Sequence, residues 1–521
     1  MIPKKLVRTA TAWSIAFLLL VAVTALAQKF VNKDPAPRSP DAQVSQVPLR
    51  AGNLQPQAPV PPQDPTLVGT NLGTEVEPNN TFATANSLGA NPEGRIRGQL
   101  MSFNFATPGT DEDWYSFTTT VASSKVYTAV MTFGSGQGSL GGAGDTLLQV
   151  FASDGTTVLE VDDQDGGLGG SSSSIAGTVL ATPGTYYLRL TNFSTTAPIA
   201  PYDLYVAVRS GSPTAETEPN NNGTPQVMPA SGYVSGVIDP VGDSDTYTFS
   251  ANAGDTVYLS LDLDPTRIGG TQFNGRIGIG LFGTPPNFLV TSDSGAFDTT
   301  DSEAMFMTVD TTGTYTIYVD AQTAGQGGPT AIYNFNVTVI PAPASGTCTT
   351  YTNSTSTAIP DLALTSSSIA IPDSKIIRSL RVTLDITHPN FPDLDVHLRS
   401  PANNDNGLFI DTGTATQTGP QNINLNEDAA LPLVFAVLNG DIFRAQPQYN
   451  LNWFKGENSL GTWTLDIRDD SSTVSTPGTL NSWSLEVCEE PALTGTVVYS
   501  QDFEASNGGY KIGRASCRER V

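Results

Sequence analysis

The chain has 521 residues, enough for roughly three or four domains, and its 50 acidic against 25 basic residues give a formal charge of −25. So acidic a surface argues against nucleic acid and anionic membranes as partners and favours cations. Only 14% of residues are charged, whereas Gly (49) and Pro (37) abound, which points away from helices and toward many short strands joined by tight turns.

In chain order, residues 1–27 read as a secretory signal. Lys4, Lys5 and Arg8 form a basic start, Ile15 to Val23 an apolar stretch, and Ala25-Leu26-Ala27 a small-x-small cleavage site. The apolar run is short for a membrane span, so cleavage before Gln28 is expected, with no span left afterwards. Residues 28–73, rich in Pro, Gln and Ala without hydrophobic period, read as a linker.

Residues 74–210 and 211–343 form an internal repeat. Each copy opens on the same element, TEVEPNN at 74–80 and AETEPNN at 215–221. Each then carries an acidic strand start, DEDWYSF at 111–117 and DSDTYTF at 243–249, and closes on two alternating strands. These are GTYYLRL (184–190) and YDLYVAV (202–208), then GTYTIYV (313–319) and YNFNVTV (333–339). Alternation such as Val257, Leu259, Leu261 and Leu263 sends every second side chain into a core. Several such strands between Gly and Asp turns predict an all-β chain of tandem jelly-roll-like β-sandwiches.

Residues 344–490 form a different sandwich, with SLRVTLDI at 379–386, LGTWTLDIRDD at 460–470 and GTLNSWSLEVC at 478–488. Trp463 and Trp483 lie in phase with apolar neighbours and read as core. Cys348 and Cys488 bracket this unit and, in an exported chain, are expected to form a disulfide. Residues 491–510 look like the first strand of a further, truncated domain. The closing KIGRASCRERV, residues 511–521, turns abruptly basic and resembles a translated sequencing adapter, so it and Cys517 are set aside as an artefact.

Familiar catalytic patterns are missing. The two histidines, His388 and His397, stand in no H-E-x-x-H, and no G-x-S-x-G elbow occurs. Oxygen donors, in contrast, recur together. Glu75, Glu77, Asn79 and Asn80, with Asp111 and Asp113, offer carboxylates and amides of the kind that calcium takes six to eight at a time. Glu216, Glu218, Asn220, Asn221, Asp243 and Asp245 repeat the set, so calcium is the expected cofactor of both copies. A turn beside a solvated strand end is the alternative, and the duplication favours calcium over it. Asp162, Asp163 and Asp165, and Asp393 with Asp395, are weaker acidic candidates. His388 shares the inward parity of Leu384 and Ile386 and reads as a hydrogen-bonded core histidine, whereas His397 shares the outward parity.

These motifs carry two resemblances. ExEPNN, D-x-D-x-Y-x-F and the closing G-T-Y strand make each repeat resemble bacterial pre-peptidase C-terminal domains. These are β-sandwiches appended to secreted peptidases, and the resemblance implies calcium binding through the residues named above. Residues 344–490 resemble the P domain of proprotein convertases, on IPD (371–373), SLRVTLDITH, DLDVHLRSP (393–401) and GTWTLDIRDD with GTLNSWSLEV. In kexin- and furin-like serine proteases that domain packs on a subtilisin-like domain. Here no such domain precedes it, and Ala402-Asn403 replaces the usual Gly-Thr.

The resemblances imply a secreted accessory protein associated with proteolysis, acting beside a catalytic peptidase domain, with no catalytic site in the visible chain. A non-catalytic adhesin that binds extracellular protein or polysaccharide is the alternative. A glycan-active enzyme using paired carboxylates is a third reading.

Overall fold

The computed structural model describes residues 70–489 apart from 102–110, 133–143, 164–171, 194–198, 222, 268–272, 283–286, 293–301, 324, 344–345, 414–419, 434–440, 447–448 and 472–475. The signal sequence, residues 28–69 of the linker, the segment 491–510, the tail 511–521 and Asp165 lie outside the described residues. Among the described residues the protein is all-β, with helical structure confined to short 3-10 turns such as Phe82–Thr84 and Phe391–Asp393. No helix among them is long and apolar enough to cross a membrane.

The first repeat is a two-layer sandwich. One sheet orders β1 (Asn86–Ala90), β3 (Glu112–Thr119), β8 (Gly184–Asn192), β5 (Thr146–Phe151) and β6 (Val158–Asp162). The other orders β2 (Glu93–Leu100), β9 (Ile199–Arg209), β4 (Ser124–Thr132) and β7 (Ser174–Leu180). Inward residues at alternate positions, among them Tyr115, Phe117, Leu188, Leu190 and Leu204, form one core. Residues 70–73 already pack here: Leu72 N donates to Arg95 O at 3.1 Å, and its side chain joins the core.

The second repeat reproduces this order and adds one short edge strand, β10 (Thr214–Ala215), where the first has only a bridge between Thr74 and Arg97. Its sheets run β11 (Gln226–Val227), β13 (Ser244–Ala251), β18 (Gly313–Ala321), β15 (Gly275–Leu281), β16 (Asn287–Ser292), and β10 (Thr214–Ala215), β12 (Tyr233–Val237), β19 (Ile332–Ile340), β14 (Thr256–Asp262), β17 (Ser302–Thr308).

In the third unit, β20 (Cys348–Asn353), β30 (Gly478–Glu489), β23 (Ile377–Thr387), β26 (Pro420–Asn426), β28 (Ile442–Arg444) and β27 (Leu431–Pro432) form one sheet, with β21 (Thr357–Ile359) also on β30. The facing sheet is β22 (Leu364–Ile371), β29 (Gly461–Asp469), β24 (Leu394–Arg399) and β25 (Asp405–Ile410). Trp463 and Trp483 sit fully buried between them, their indole N–H groups donating to Ser459 O (2.9 Å) and Ser367 Oγ (3.0 Å). Cys348 and Cys488 face each other across β20 and β30 and are joined by a disulfide spanning 140 residues. On the chain-entropy account such a link stabilises by about 5 kcal/mol.

Alternation alone does not describe β14. All seven of its residues are buried, Tyr258, Ser260 and Asp262 along with the expected Val257, Leu259 and Leu261. The cause is that the outer face of its sheet packs on the outer face of the sheet containing β9. Tyr205 lies 4.3 Å from Phe306 and 5.3 Å from Tyr258, centroid to centroid. Pairs of this kind contribute about 0.5–1.5 kcal/mol each beyond their burial.

The first and third units meet at buried charges. Arg97 Nε and Arg95 Nη1 contact the two oxygens of Asp203 at 2.6 and 3.0 Å. Arg95 also donates to Asp428 O in the third unit, where Arg444 pairs with Glu427 at 3.3 Å. Burial pushes the Asp203 carboxyl up, but Arg97, Arg95 and Arg444 outweigh it and hold it below the ordinary range. Its stabilising contribution is therefore complete above its unfolded value, about pH 4, and is lost as the pH falls through the lower folded value. Asp203→Ala strands two buried guanidinium groups and is expected to cost about 3–5 kcal/mol in denaturant unfolding. The variant should also lack the part of the parent's acid sensitivity that this carboxylate supplies.

Candidate metal centre

At one end of the first sandwich, the ExEPNN element ties the two sheets together. Glu75 N donates to Arg97 O at 2.9 Å, and Glu75 Oε1 accepts from Gln99 N at 2.8 Å, so the element starts alongside β2. It turns at the cis Glu77–Pro78 peptide. It then reaches the other sheet, where Asn79 O accepts from Trp114 N on β3 at 3.0 Å. The Asn86 amide holds the loop by bonding both Val76 N (2.6 Å) and Val76 O (2.9 Å).

This path places acidic oxygens against the start of β3. Glu77, Asp111 and Asp113 each present a carboxylate oxygen within 4.8 Å of the others. Glu75 stands beside them, its Oε2 at 3.4 Å from the Tyr115 hydroxyl and 3.5 Å from that of Tyr202. Tyr202 donates to Asp113 Oδ2 at 2.5 Å, while Asp113 Oδ1 is buried with no hydrogen-bond partner. Asn79, also fully buried, has neither side-chain oxygen nor nitrogen partnered. Asp111 accepts from Met101 N at 2.8 Å, and Asn80 follows half-buried.

The second repeat builds the same arrangement. Glu216 Oε1 accepts from Val237 N at 2.7 Å, the Glu218–Pro219 peptide is cis, and Asn220 O accepts from Thr246 N at 2.8 Å. Glu216, Glu218 and Asp245 lie within 4.8 Å of one another, and Tyr333 donates to Asp245 Oδ2 at 2.6 Å. Asp243, the counterpart of Asp111, stands apart from the three; it accepts from Ser244 N and from Asn221 Nδ2, both at 2.9 Å.

Electrostatically these are crowded sites. Burial first, then the charge of Glu75, drives the Asp113 carboxyl well above its ordinary value. Burial, with Glu77 and Asp111 adding to it, pushes Glu75 up to about 8 against the opposing Gln99 N–H bond. In the second copy burial and Glu216 push Asp245 up to about 9, opposed by the Tyr333 hydroxyl. A hard divalent cation relieves both the repulsion and the missing hydrogen bonds. Oxygens on opposite sides of one calcium lie about 4.8 Å apart, twice a bond of about 2.4 Å, so the spacing and donor set fit such an ion.

Sequence reasoning passed over two contributors. Tyr202 and Tyr333 lie 89 and 88 residues beyond the aspartates they contact. The available signal was that each is the first residue of the aligned closing strand. Gly98 and Gly236 are the other pair. A Cβ on Gly98 would lie 2.5 Å from Glu75 Oε2 and collide with the Tyr202 hydroxyl, and one on Gly236 would meet Glu216 and Tyr333 in the same way.

The remaining candidates sit elsewhere. Asp162 accepts from Ser174 N at 2.7 Å. His388 is sealed in the third core, Nδ1 at 2.8 Å from Asn390 O and Nε2 at 3.2 Å from Asp469. His397 is partly exposed beside Asp405 at 3.0 Å. The first repeat also carries an aromatic cap on its outward sheet face. Phe82, 42% exposed, lies 6.2 Å from Trp114 and 5.8 Å from Tyr187; Trp114 lies 4.8 Å from Phe151, with Arg189 over its ring at 5.5 Å. The register places Thr246, Thr316 and Gly280 where the second repeat would carry Trp114, Tyr187 and Phe151.

Residues 377–487 match the family model of the proprotein convertase P-domain, and residues 111–192 that of the bacterial pre-peptidase C-terminal domain, PPC. The chain carries a P domain and a PPC domain. The second repeat shares the first repeat's strand order, apart from the added β10, and its ExEPNN and D-x-D residues. Among solved structures, the Aeromonas sobria serine protease in complex with its chaperone is 21% identical over 29% of this chain and 28% of that one, with a TM-score of 0.20. The same protease without the chaperone is 23% identical over the same shares, with a TM-score of 0.19. Tandem CBM51 modules of a Streptococcus pneumoniae family 98 glycoside hydrolase are 9% identical over 49% of this chain and 83% of theirs, with a TM-score of 0.16. The matched part thus spans about a quarter of each Aeromonas protease chain, 28%. No curated protein matches the chain.

The crowding has a pH signature. Glu75 at about 8 and Asp245 at about 9 bind protons more tightly folded than unfolded. In chelator their contribution to stability is complete below about pH 4 and lost as the pH rises through those folded values. Thermal midpoints measured in chelator should fall from pH 5 toward pH 9. Gly98→Ala should lower stability by about 1–3 kcal/mol by overpacking. Gly223→Ala, where an added Cβ meets nothing within 4 Å, should leave it unchanged.

Proposed function

We propose that this chain is a secreted accessory protein of proteolysis whose two repeats each hold a calcium ion and whose P domain docks against a peptidase domain. Both matched families are protease-associated, which supports the context. The observation that carries the metal reading is the pair of buried, unpartnered acceptors, Asn79 Oδ1 and Asp113 Oδ1, inside a carboxylate group that recurs in the second repeat.

On this reading the ion is structural: it supplies positive charge and coordination where the backbone and tyrosines leave oxygens unsatisfied. Glu75 and Glu216 hold the element to one sheet, Asp113 and Asp245 lie at the strand start of the other, and Glu77 and Glu218 close the turn. Filling the site stiffens the end of each sandwich without placing the ion on a substrate path. The reading assigns no bond-breaking step to residues 70–489. The acidic charge and the disulfide suit an extracytoplasmic protein.

Thermal unfolding with millimolar calcium against chelator tests the metal claim. At calcium a hundredfold above the dissociation constant, each site should add about 2.7 kcal/mol, with a smaller effect from magnesium, which keeps its waters. An unchanged midpoint would count against calcium. The Asp113→Asn/Asp245→Asn double variant should fold and lose most of the calcium-dependent rise.

A binding role is the second reading, and the aromatic cap on the first repeat favours it. Exposed Phe82 and half-buried Tyr187, beside Arg189, suit an extracellular polymer with alternating apolar and hydroxylated surfaces. Sedimentation of the protein with insoluble polysaccharide or collagen should drop in the Phe82→Ala/Tyr187→Ala variant; retention unaffected by these changes removes this reading.

A further inference from the structure

A second kind of acidic centre lies in the P domain, remote in sequence from both repeats. Three strands of one sheet end together there. Asp470 N donates to Asp393 O at 3.0 Å, Asp411 N donates to Leu394 O at 3.2 Å, and Asp395 pairs with both Ile410 and Arg468 in the sheet. Asp395, Asp411 and Asp470 consequently present carboxylate oxygens within 4.8 Å of one another. This is the span that opposite ligands of one calcium occupy, about 4.8 Å.

The cluster alone would be an ordinary acidic strand end. What distinguishes it is Asp393 beneath. Asp393 is 96% buried, with 4% of its surface exposed. Its Oδ1 accepts from Asn390 Nδ2 at 2.5 Å, and its Oδ2 is buried with no partner. Asp393 closes the 3-10 turn that leads into β24, two residues before Asp395, and its main chain is bonded to Asp470 at the end of β29. The charge of Asp393 acts on Asp470. Asn390 Oδ1, also buried, is likewise unpartnered. The positive groups that act on the cluster are Arg468 on Asp470 and His397 on Asp395, and Asp469 is engaged with His388. Four carboxylates thus exceed the local positive charge, and one buried oxygen among them lacks any donor.

We propose that the P domain binds a hard divalent cation of the calcium class through Asp395, Asp411 and Asp470, with Asp393 beneath them. The ion would pin the 411–413 turn and the end of β29 to the start of β24. It is independent of the repeat sites, because no residue is shared.

Calcium bound per full-length chain, measured by equilibrium dialysis, decides the matter. The Asp395→Asn/Asp470→Asn variant should bind one equivalent fewer than the parent. The Asp113→Asn/Asp245→Asn variant, with both repeats disabled, should retain that equivalent. Near-ultraviolet circular dichroism of Trp463 and Trp483 reports whether the P domain is folded. Should the double variant unfold, Asp411→Asn substitutes at an exposed position whose φ of 49° asparagine tolerates, and it should weaken this site at least tenfold. Full parental stoichiometry in a folded Asp395→Asn/Asp470→Asn chain, or unchanged affinity in Asp411→Asn, overturns the proposal.

Discussion

Each repeat depends on a carboxylate placed where the sandwich has no water to solvate it. Asp113 and Asp245 are the second residues of β3 and β13, wholly buried, and each is met by a tyrosine from the opposite sheet. Asp113, with one hydroxyl donor on Oδ2 and its Oδ1 unpartnered, is under-satisfied. The surroundings then crowd it with further carboxylates instead of lysine or arginine. That arrangement is the observation on which the proposed cation rests. The glycine facing each site lets the tyrosine and the first glutamate approach the backbone more closely than any side chain would allow.

The same physics produces the opposite solution at the junction of the first and third units. Asp203 is as buried as Asp113, but Arg95 and Arg97 reach it from the neighbouring strand, and its carboxyl is held below the ordinary range. There the chain supplies its own counter-charge and needs no ion. One protein thus contains two classes of buried aspartate, separated by the sign of their neighbours. Burial by itself distinguishes neither.

How much of this was legible follows from distance along the chain. ExEPNN and D-x-D could be paired because both recur at matching offsets. The inward parity of Leu380 to Ile386, of the two tryptophans and of His388 follows from period-2 alternation, which local sequence displays directly. Tyr202 and Tyr333 were hidden because a partner almost ninety residues away is fixed by strand order, not by spacing. Gly98 and Gly236 look like any strand glycine until the atoms facing them are known. The full burial of β14 was illegible for a different reason: its outward face is covered by another unit, and no strand's own pattern announces that. The aromatic cap escaped notice because a turn and three strands contribute one ring each.

Duplication usually conserves what the fold requires and frees the rest. Here both copies keep the carboxylates, the tyrosine pair, the glycine and the cis proline, whereas their exposed faces differ. The first copy fills its outward sheet with Trp114, Phe151, Tyr187 and Arg189; the second has Thr246, Gly280, Thr316 and Tyr318 at the same register. The faces turned toward each other differ in a complementary way, Tyr205 of one meeting Tyr258 and Phe306 of the other. The shared residues therefore belong to the construction of a sandwich end, and the unshared ones to what each sandwich touches. That division separates the two functional readings physically. The carboxylate sites, common to both modules, go with how a sandwich end is built, while a specific partner has to be recognised by the faces that the copies do not share.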